Sequence, residues 1–136
     1  MSKPIRIVYL DDCEIDHRLL DSYLQLDDEN SYTLTPCLTL EEALRALNSG
    51  TYDALIIDNK MPPFRSFLEP YEVIKRGTDF QGTTIVVSAD TSVPELEPGN
   101  LPGDEWVIDK SELASQIRNG VLNTACRADS VLPTNR

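Results

Sequence analysis

The chain of 136 residues suffices for one domain around one core and leaves no room for a second of ordinary size. Apolar residues make up 40% of it, and 23 acidic against 12 basic side chains leave a net charge of −11. That balance excludes general disorder and argues against binding nucleic acid or an anionic membrane, both of which need a cationic face.

Ile5 to Leu10 is a short β-branched run closed by Asp11 and Asp12, which predicts a buried strand. Ile15, Leu19, Leu20, Tyr23 and Leu24 recur at helical spacing, which predicts an amphipathic helix over 14–26. Tyr32 to Cys37 is a second strand. Thr39 with Glu42 three residues on forms a capping box, followed by the stripe Leu40, Ala43, Leu44 and Leu47 and a stop at Gly50. Ala54 to Ile57 is a third strand that ends in Asp58. After a loop with Pro62, Pro63 and Phe64, a short helix is expected from near Pro70 to Gly77. Thr83 to Val87 is a fourth strand ending in Ser88, and Glu105 to Ile108 a fifth ending in Asp109 and Lys110. Ser111 can cap a last helix carrying Leu113, Ile117, Val121 and Leu122, with 123–136 expected as a flexible polar tail.

Alternating strands and helices imply a parallel sheet covered on both faces, with the site beyond the carboxyl ends of the strands. Asp11, Asp12, Asp58, Ser88 and Lys110 all fall at such ends, so residues distant in sequence are sent to one rim. Cys13, Cys37 and Cys126 are odd in number and match no zinc spacing, which reads as reduced thiols in a cytosolic protein. No segment approaches the ~20 apolar residues that span a bilayer, and the start MSKPIRIVYL lacks a signal peptide's apolar stretch and cleavage site. A cytoplasmic protein is expected.

The segments IVYLDD (7–12), ALIIDNKMP (54–62), IVVSAD (85–90) and WVIDK (106–110) jointly resemble the signature segments of response-regulator receiver domains, over roughly residues 5–122. The resemblance implies a flavodoxin-like (βα)5 three-layer sandwich with strand order 2-1-3-4-5, and a receiver domain at 1–122. It implies Asp58 as the acceptor of a phosphoryl group from a histidine kinase or histidine phosphotransfer protein. It implies Mg²⁺ held by Asp12 directly, Asp11 through water, Asp58 and the backbone carbonyl of Lys60. Lys110 would then face the phosphoryl oxygens and the Ser88 hydroxyl would turn towards them. Taken singly, Asp11 and Asp12 read rather as acids at a helix start, Asp58 equally as a turn residue and Lys110 as a solvated lysine. His17, the one histidine, is read as solvated surface.

The sequence departs from the family pattern at four places. The stretch PFRSFLEP (63–70) replaces a short turn with a longer loop, whose Phe64 and Phe67 either cover the site or tuck onto their own domain. Pro94, Pro98 and Pro102 with Gly99 and Gly103 exclude a regular fourth helix over 91–105, since an interior proline costs about 3 kcal/mol; at most one turn around Pro94 to Leu96 survives. Val107 stands where relatives carry an aromatic, with Trp106 pointing to the opposite face. Ser111 stands where a proline follows the lysine, so no cis peptide is expected there.

A single-domain phospho-acceptor without an effector domain is the first expectation, taking up and losing phosphate only at Asp58 and not otherwise an enzyme. It would switch the binding of an unnamed protein target, and a homodimer through a non-standard face stays open. A receiver-like interaction module that signals without phosphorylation is the alternative. A phosphohydrolase is disfavoured because Asn59 and Lys60, not an acid, follow the nucleophile position.

Overall fold

The computed structural model describes residues 3–131. Five parallel strands, β1 (Ile5–Leu10), β2 (Tyr32–Cys37), β3 (Ala54–Asp58), β4 (Thr83–Ser88) and β5 (Trp106–Asp109), lie in the order β2-β1-β3-β4-β5. The helices are α1 (Glu14–Leu24), α2 (Leu40–Ser49), α3 (Leu68–Gly77), α4 (Leu113–Arg118) and α5 (Val121–Val131). This is the expected flavodoxin-like three-layer sandwich.

Strand alternation divides the core between two faces. Ile5, Ile7, Tyr9, Ile56, Ile85, Val87 and Ile108 pack under α1, α4 and α5 through Leu20, Leu24, Leu113, Ile117, Leu122 and Ala125. Val8, Leu10, Leu55, Ile57 and Val86 pack under α2 and α3 through Ala43, Leu47, Tyr71 and Ile74. Trp106 joins the first face and Val107 the second, as alternation requires. The capping box forms as expected: Thr39 Oγ1 accepts the Glu42 N–H at 3.2 Å, and Glu42 Oε1 accepts the Leu38 N–H at 2.7 Å.

Where a fourth helix would cover β4 and β5, the chain makes two 3-10 turns, at Pro94–Leu96 and at Pro98–Asn100. The sequence allows one; the second forms because Pro98 pre-sets its own first φ. Leu96 is buried, and Val93 and Leu101 pack beside it on the α3 face. The segment is thus an ordered cover built without a helix. Its far end is held by Glu105, whose Oε2 accepts the Tyr71 hydroxyl at 3.0 Å and whose Oε1 accepts the Gly103 N–H at 2.8 Å.

Two expectations need correcting here. The last helix is two helices, broken at Asn119–Gly120, where Gly120 takes φ +86°. And 123–131, expected as tail, is helical: Leu122, Ala125 and Cys126 recur at i, i+3 and i+4 and settle on the core beside Val121. The small apolar Ala125 and Cys126 carry that face, so it is inconspicuous in a polar stretch. The remainder of the expected tail, 132–136, lies outside the described residues. The Lys110–Ser111 peptide is trans, as expected; the cis peptide among the described residues is Pro62–Pro63. No helix among the described residues is long and apolar enough to cross a membrane.

A Cβ at Gly120 would meet nothing within 4 Å, so a substitution there is opposed by backbone conformation alone. Gly120→Ala is expected to destabilise the fold by about 1 kcal/mol, read as a lower urea midpoint at unchanged slope. An unchanged midpoint would mean that the break does not require this φ.

Candidate functional site

β1 carries Tyr9, and Asp11 follows two residues on, so the two side chains share a face. Asp11 is wholly buried. Its Oδ2 accepts the Tyr9 hydroxyl at 2.6 Å, and its Oδ1 accepts the Cys13 N–H at 3.0 Å where α1 begins. Its backbone carbonyl, past the end of the strand, accepts the His17 Nε2–H at 2.7 Å. His17 is therefore not the solvated residue expected from its helical position. It is 7% exposed, with its ring against Tyr9 at a centroid distance of 4.6 Å. The free carbonyl and the tyrosine face draw it inward. Its Nδ1 is buried without a partner among the described residues.

Asp58 ends β3 with its side chain 8% exposed, and its Oδ1 accepts the Lys60 N–H at 3.3 Å. Asp12 is exposed at the mouth. One carboxylate oxygen from each of Asp11, Asp12 and Asp58 lies within 4.8 Å of the others. Strand register sets Asp58 opposite Val87 and Ser88 opposite Asp109, so Ser88 stands one step further out than Asp58 and Lys110 two steps out, just past the end of β5. The Ser88 hydroxyl is buried and closes a turn: it donates to the Asp90 carbonyl at 2.9 Å and accepts the Asp90 N–H at 3.2 Å.

Lys110 Nζ gathers the acids. It lies 2.8 Å from Asp16 Oδ2, 3.2 Å from Asp11 Oδ2 and 3.4 Å from Asp58 Oδ1. The structure thus brings together Asp11, Asp12, Asp58 and Lys110 from the sequence set, and adds Asp16. The sequence carried no signal for Asp16: it lies in the first turn of α1, and the lysine that gives it a role is 94 residues further on.

The charges are out of balance. Burial first, then the neighbouring Asp11 charge, push the Asp58 carboxyl up to about 6, against the pull of Lys110. Burial works against the Lys110 ammonium, but its hydrogen bond to Asp16 and the charges of Asp11 and Asp58 outweigh that and raise its pKa. Burial and then Asp11 raise the Tyr9 phenol, so it stays a protonated donor. Three hard oxygen donors with surplus negative charge are the donor set that suits a divalent cation such as Mg²⁺.

Asn59, beside Asp58, is wholly buried, and its side chain ties two departures from the family pattern to the site. Its Oδ1 accepts the Phe67 N–H at 3.1 Å, and its Nδ2 donates to Glu95 Oε2 at 3.1 Å. Phe67 is fully buried and Phe64 packs on the same cluster, so the long loop is tucked onto its own domain. Asn59 as a brace was not legible in the sequence.

No protein-family model and no curated protein matches this sequence. Solved structures do. The response regulator TrrA from Thermotoga maritima, in complex with Mg²⁺-BeF, is 28% identical with a TM-score of 0.62, over 85% of this chain and 97% of that one. The receiver domain of the sensor histidine kinase PA1611 from Pseudomonas aeruginosa, with magnesium in its active-site cleft, is 16% identical with a TM-score of 0.70, over 91% and 98%. Vibrio cholerae CheY4, a chemotaxis protein, is 17% identical with a TM-score of 0.72, over 90% and 99%.

Folding raises the Asp58 pKa from 3.8 to about 6, so the folded state holds that proton more tightly than the unfolded chain. The stability it gives is complete below pH 3.8 and is lost as pH rises through about 6. Asp58→Asn is therefore expected to stabilise the metal-free protein by on the order of 1–3 kcal/mol at pH 7, with the gain shrinking towards pH 4. Urea unfolding of both proteins at the two pH values measures it; a gain independent of pH would contradict the charge conflict.

Proposed function

We propose that this chain, whose fold is that of the response-regulator receiver domains among its structural neighbours, is a phospho-acceptor receiver in which Asp58 takes a phosphoryl group from a phosphohistidine on a histidine kinase or phosphotransfer protein. The observation that carries the reading is the convergence of Asp11, Asp12 and Asp58 within 4.8 Å with Lys110 reaching the buried pair.

In the proposed reaction an Asp58 carboxylate oxygen forms a bond to phosphorus as the P–N bond of the phosphohistidine breaks. The electron pair stays on the departing imidazole nitrogen, and the product is an aspartyl phosphate. Asp11, Asp12, Asp58 and the Lys60 carbonyl would hold Mg²⁺, which supplies charge neutralisation at the phosphoryl oxygens. Lys110 contributes a second positive charge on the same oxygens. Ser88 would exchange its turn bonds with Asp90 for one to the phosphoryl group, and so transmit the event to the 89–92 turn. Lys60 and Asp90 flank the site and would bear on phosphate lifetime. The kinase and the target would be proteins, and a cytoplasmic setting belongs to the same reading. Asn59 is committed to Phe67 and Glu95 and supplies no general acid, which speaks against a phosphohydrolase.

The rebuilt segment 91–105 favours one alternative, a receiver-like module that binds its partner without phosphorylation. The two separate on one measurement. The purified protein, incubated with acetyl phosphate and Mg²⁺, is expected to gain the mass of one phosphoryl group, and Asp58→Ala or EDTA to abolish the gain. No gain with Mg²⁺ binding confirmed would leave the module reading.

A further inference from the structure

Lys110 does not sit nearest the acceptor. Its shortest contact is Asp16 Oδ2 at 2.8 Å, against 3.4 Å to Asp58 Oδ1. The ranking has a local cause. Asp11 Oδ2 already accepts the Tyr9 hydroxyl at 2.6 Å, and Asp58 Oδ1 accepts the Lys60 N–H at 3.3 Å, so both offer the ammonium a shared oxygen. Asp16, in the first turn of α1, turns its carboxylate to the lysine that opens the turn before α4. The pair links residues 94 apart in sequence across the mouth of the site. Both side chains are about a quarter exposed, at 24% and 26%, so the contact is open to solvent.

Counting charges sharpens the point. Asp11, Asp16 and Asp58 all lie within 3.4 Å of one ammonium, and Asp12 adds a further carboxylate beside Asp11 and Asp58. An aspartyl phosphate replaces the single charge of Asp58 by about two, on oxygens that need Lys110. Asp16 then competes for the counter-charge on which phosphorylation depends.

Resting on the acceptor reading above, we propose that Asp16 is a positioning residue that restrains Lys110 in the unphosphorylated protein, so that Lys110 serves the phosphoryl group on Asp58 only by leaving Asp16. Asp16 thereby sets both how readily the site charges and how long the phosphate persists.

The test times phosphorylation by acetyl phosphate, which transfers its phosphoryl group to Asp58 and leaves as acetate, at saturating Mg²⁺. The proteins are wild type, Asp16→Asn, Lys110→Ala and the double variant. Asp16→Asn is expected to phosphorylate roughly three- to ten-fold faster and to lose phosphate more slowly. In the Lys110→Ala background the same substitution is expected to change nothing, because the restraint acts through the lysine. A gain that persists without Lys110 would reduce Asp16 to general electrostatic repulsion and overturn the proposal, as would Asp16→Asn charging no faster than wild type. Equilibrium binding of Mg²⁺-fluoroberyllate, followed by Trp106 fluorescence or calorimetry, gives the same four-way comparison if Lys110→Ala reacts too slowly to time. Wild-type protein that accepts neither phosphoryl group nor fluoroberyllate would instead overturn the acceptor reading, and this proposal with it.

Discussion

Burying carboxylates at the ends of parallel strands creates a conflict that the surrounding residues act to contain. Asp11 and Asp58 are drawn inside because the strands that carry them are buried on both faces. Out of water, each raises the cost of ionising the other. The protein meets the conflict by hydrogen bonding, with Tyr9, the Cys13 N–H and the Lys60 N–H turned to carboxylate oxygens, and by one ammonium placed among them. These measures leave Asp58 only partly relieved, and the residual strain gives the rim its appetite for positive charge. An inert surface would have solvated these acids instead.

The rim around Ser88 departs from the receiver pattern that the sequence resemblance implies. Ser88 closes a turn with Asp90, and Val107 offers no aromatic ring beside it. The buried connection that does run outward from Asp58 passes through the amide of Asn59 to Glu95 and Phe67. One side chain next to Asp58 therefore braces both the long loop after β3 and the first 3-10 turn that stands in for helix four.

What the sequence made legible was local. Strands β1, β3 and β4 are continuous apolar runs ended by polar residues, and that pattern alone delivers Asp11, Asp58 and Ser88 to one rim. The Thr39–Glu42 box and the prolines of 91–105 act within a few residues of themselves, so their effect could be read directly. Asp16, His17 and Asn59 were not legible, because each is defined by a partner elsewhere. Asp16 is made by a lysine 94 residues away, and Asn59 by a glutamate 36 residues away. His17 stands three and seven residues before the buried Leu20 and Leu24, on the inward side of its helix, but the carbonyl at the end of β1 and the ring of Tyr9 that receive it lie outside that helix. The break at Gly120 escaped notice because Leu113, Ile117, Val121 and Leu122 keep one helical period across it.

The cover over β4 and β5 has a consequence for recognition. Three prolines fix their own φ angles, and Asn100, Glu95 and Glu105 pin the segment at intervals, through bonds such as that from Asn100 Nδ2 to the Pro94 carbonyl at 2.7 Å. A surface helix can shift its register or fray when a partner docks. A proline-set loop has few alternative shapes to give up, so little conformational entropy is lost on contact. Any partner docking on this face would meet a preshaped template and be selected by fit, where a mobile helix would select by adapting.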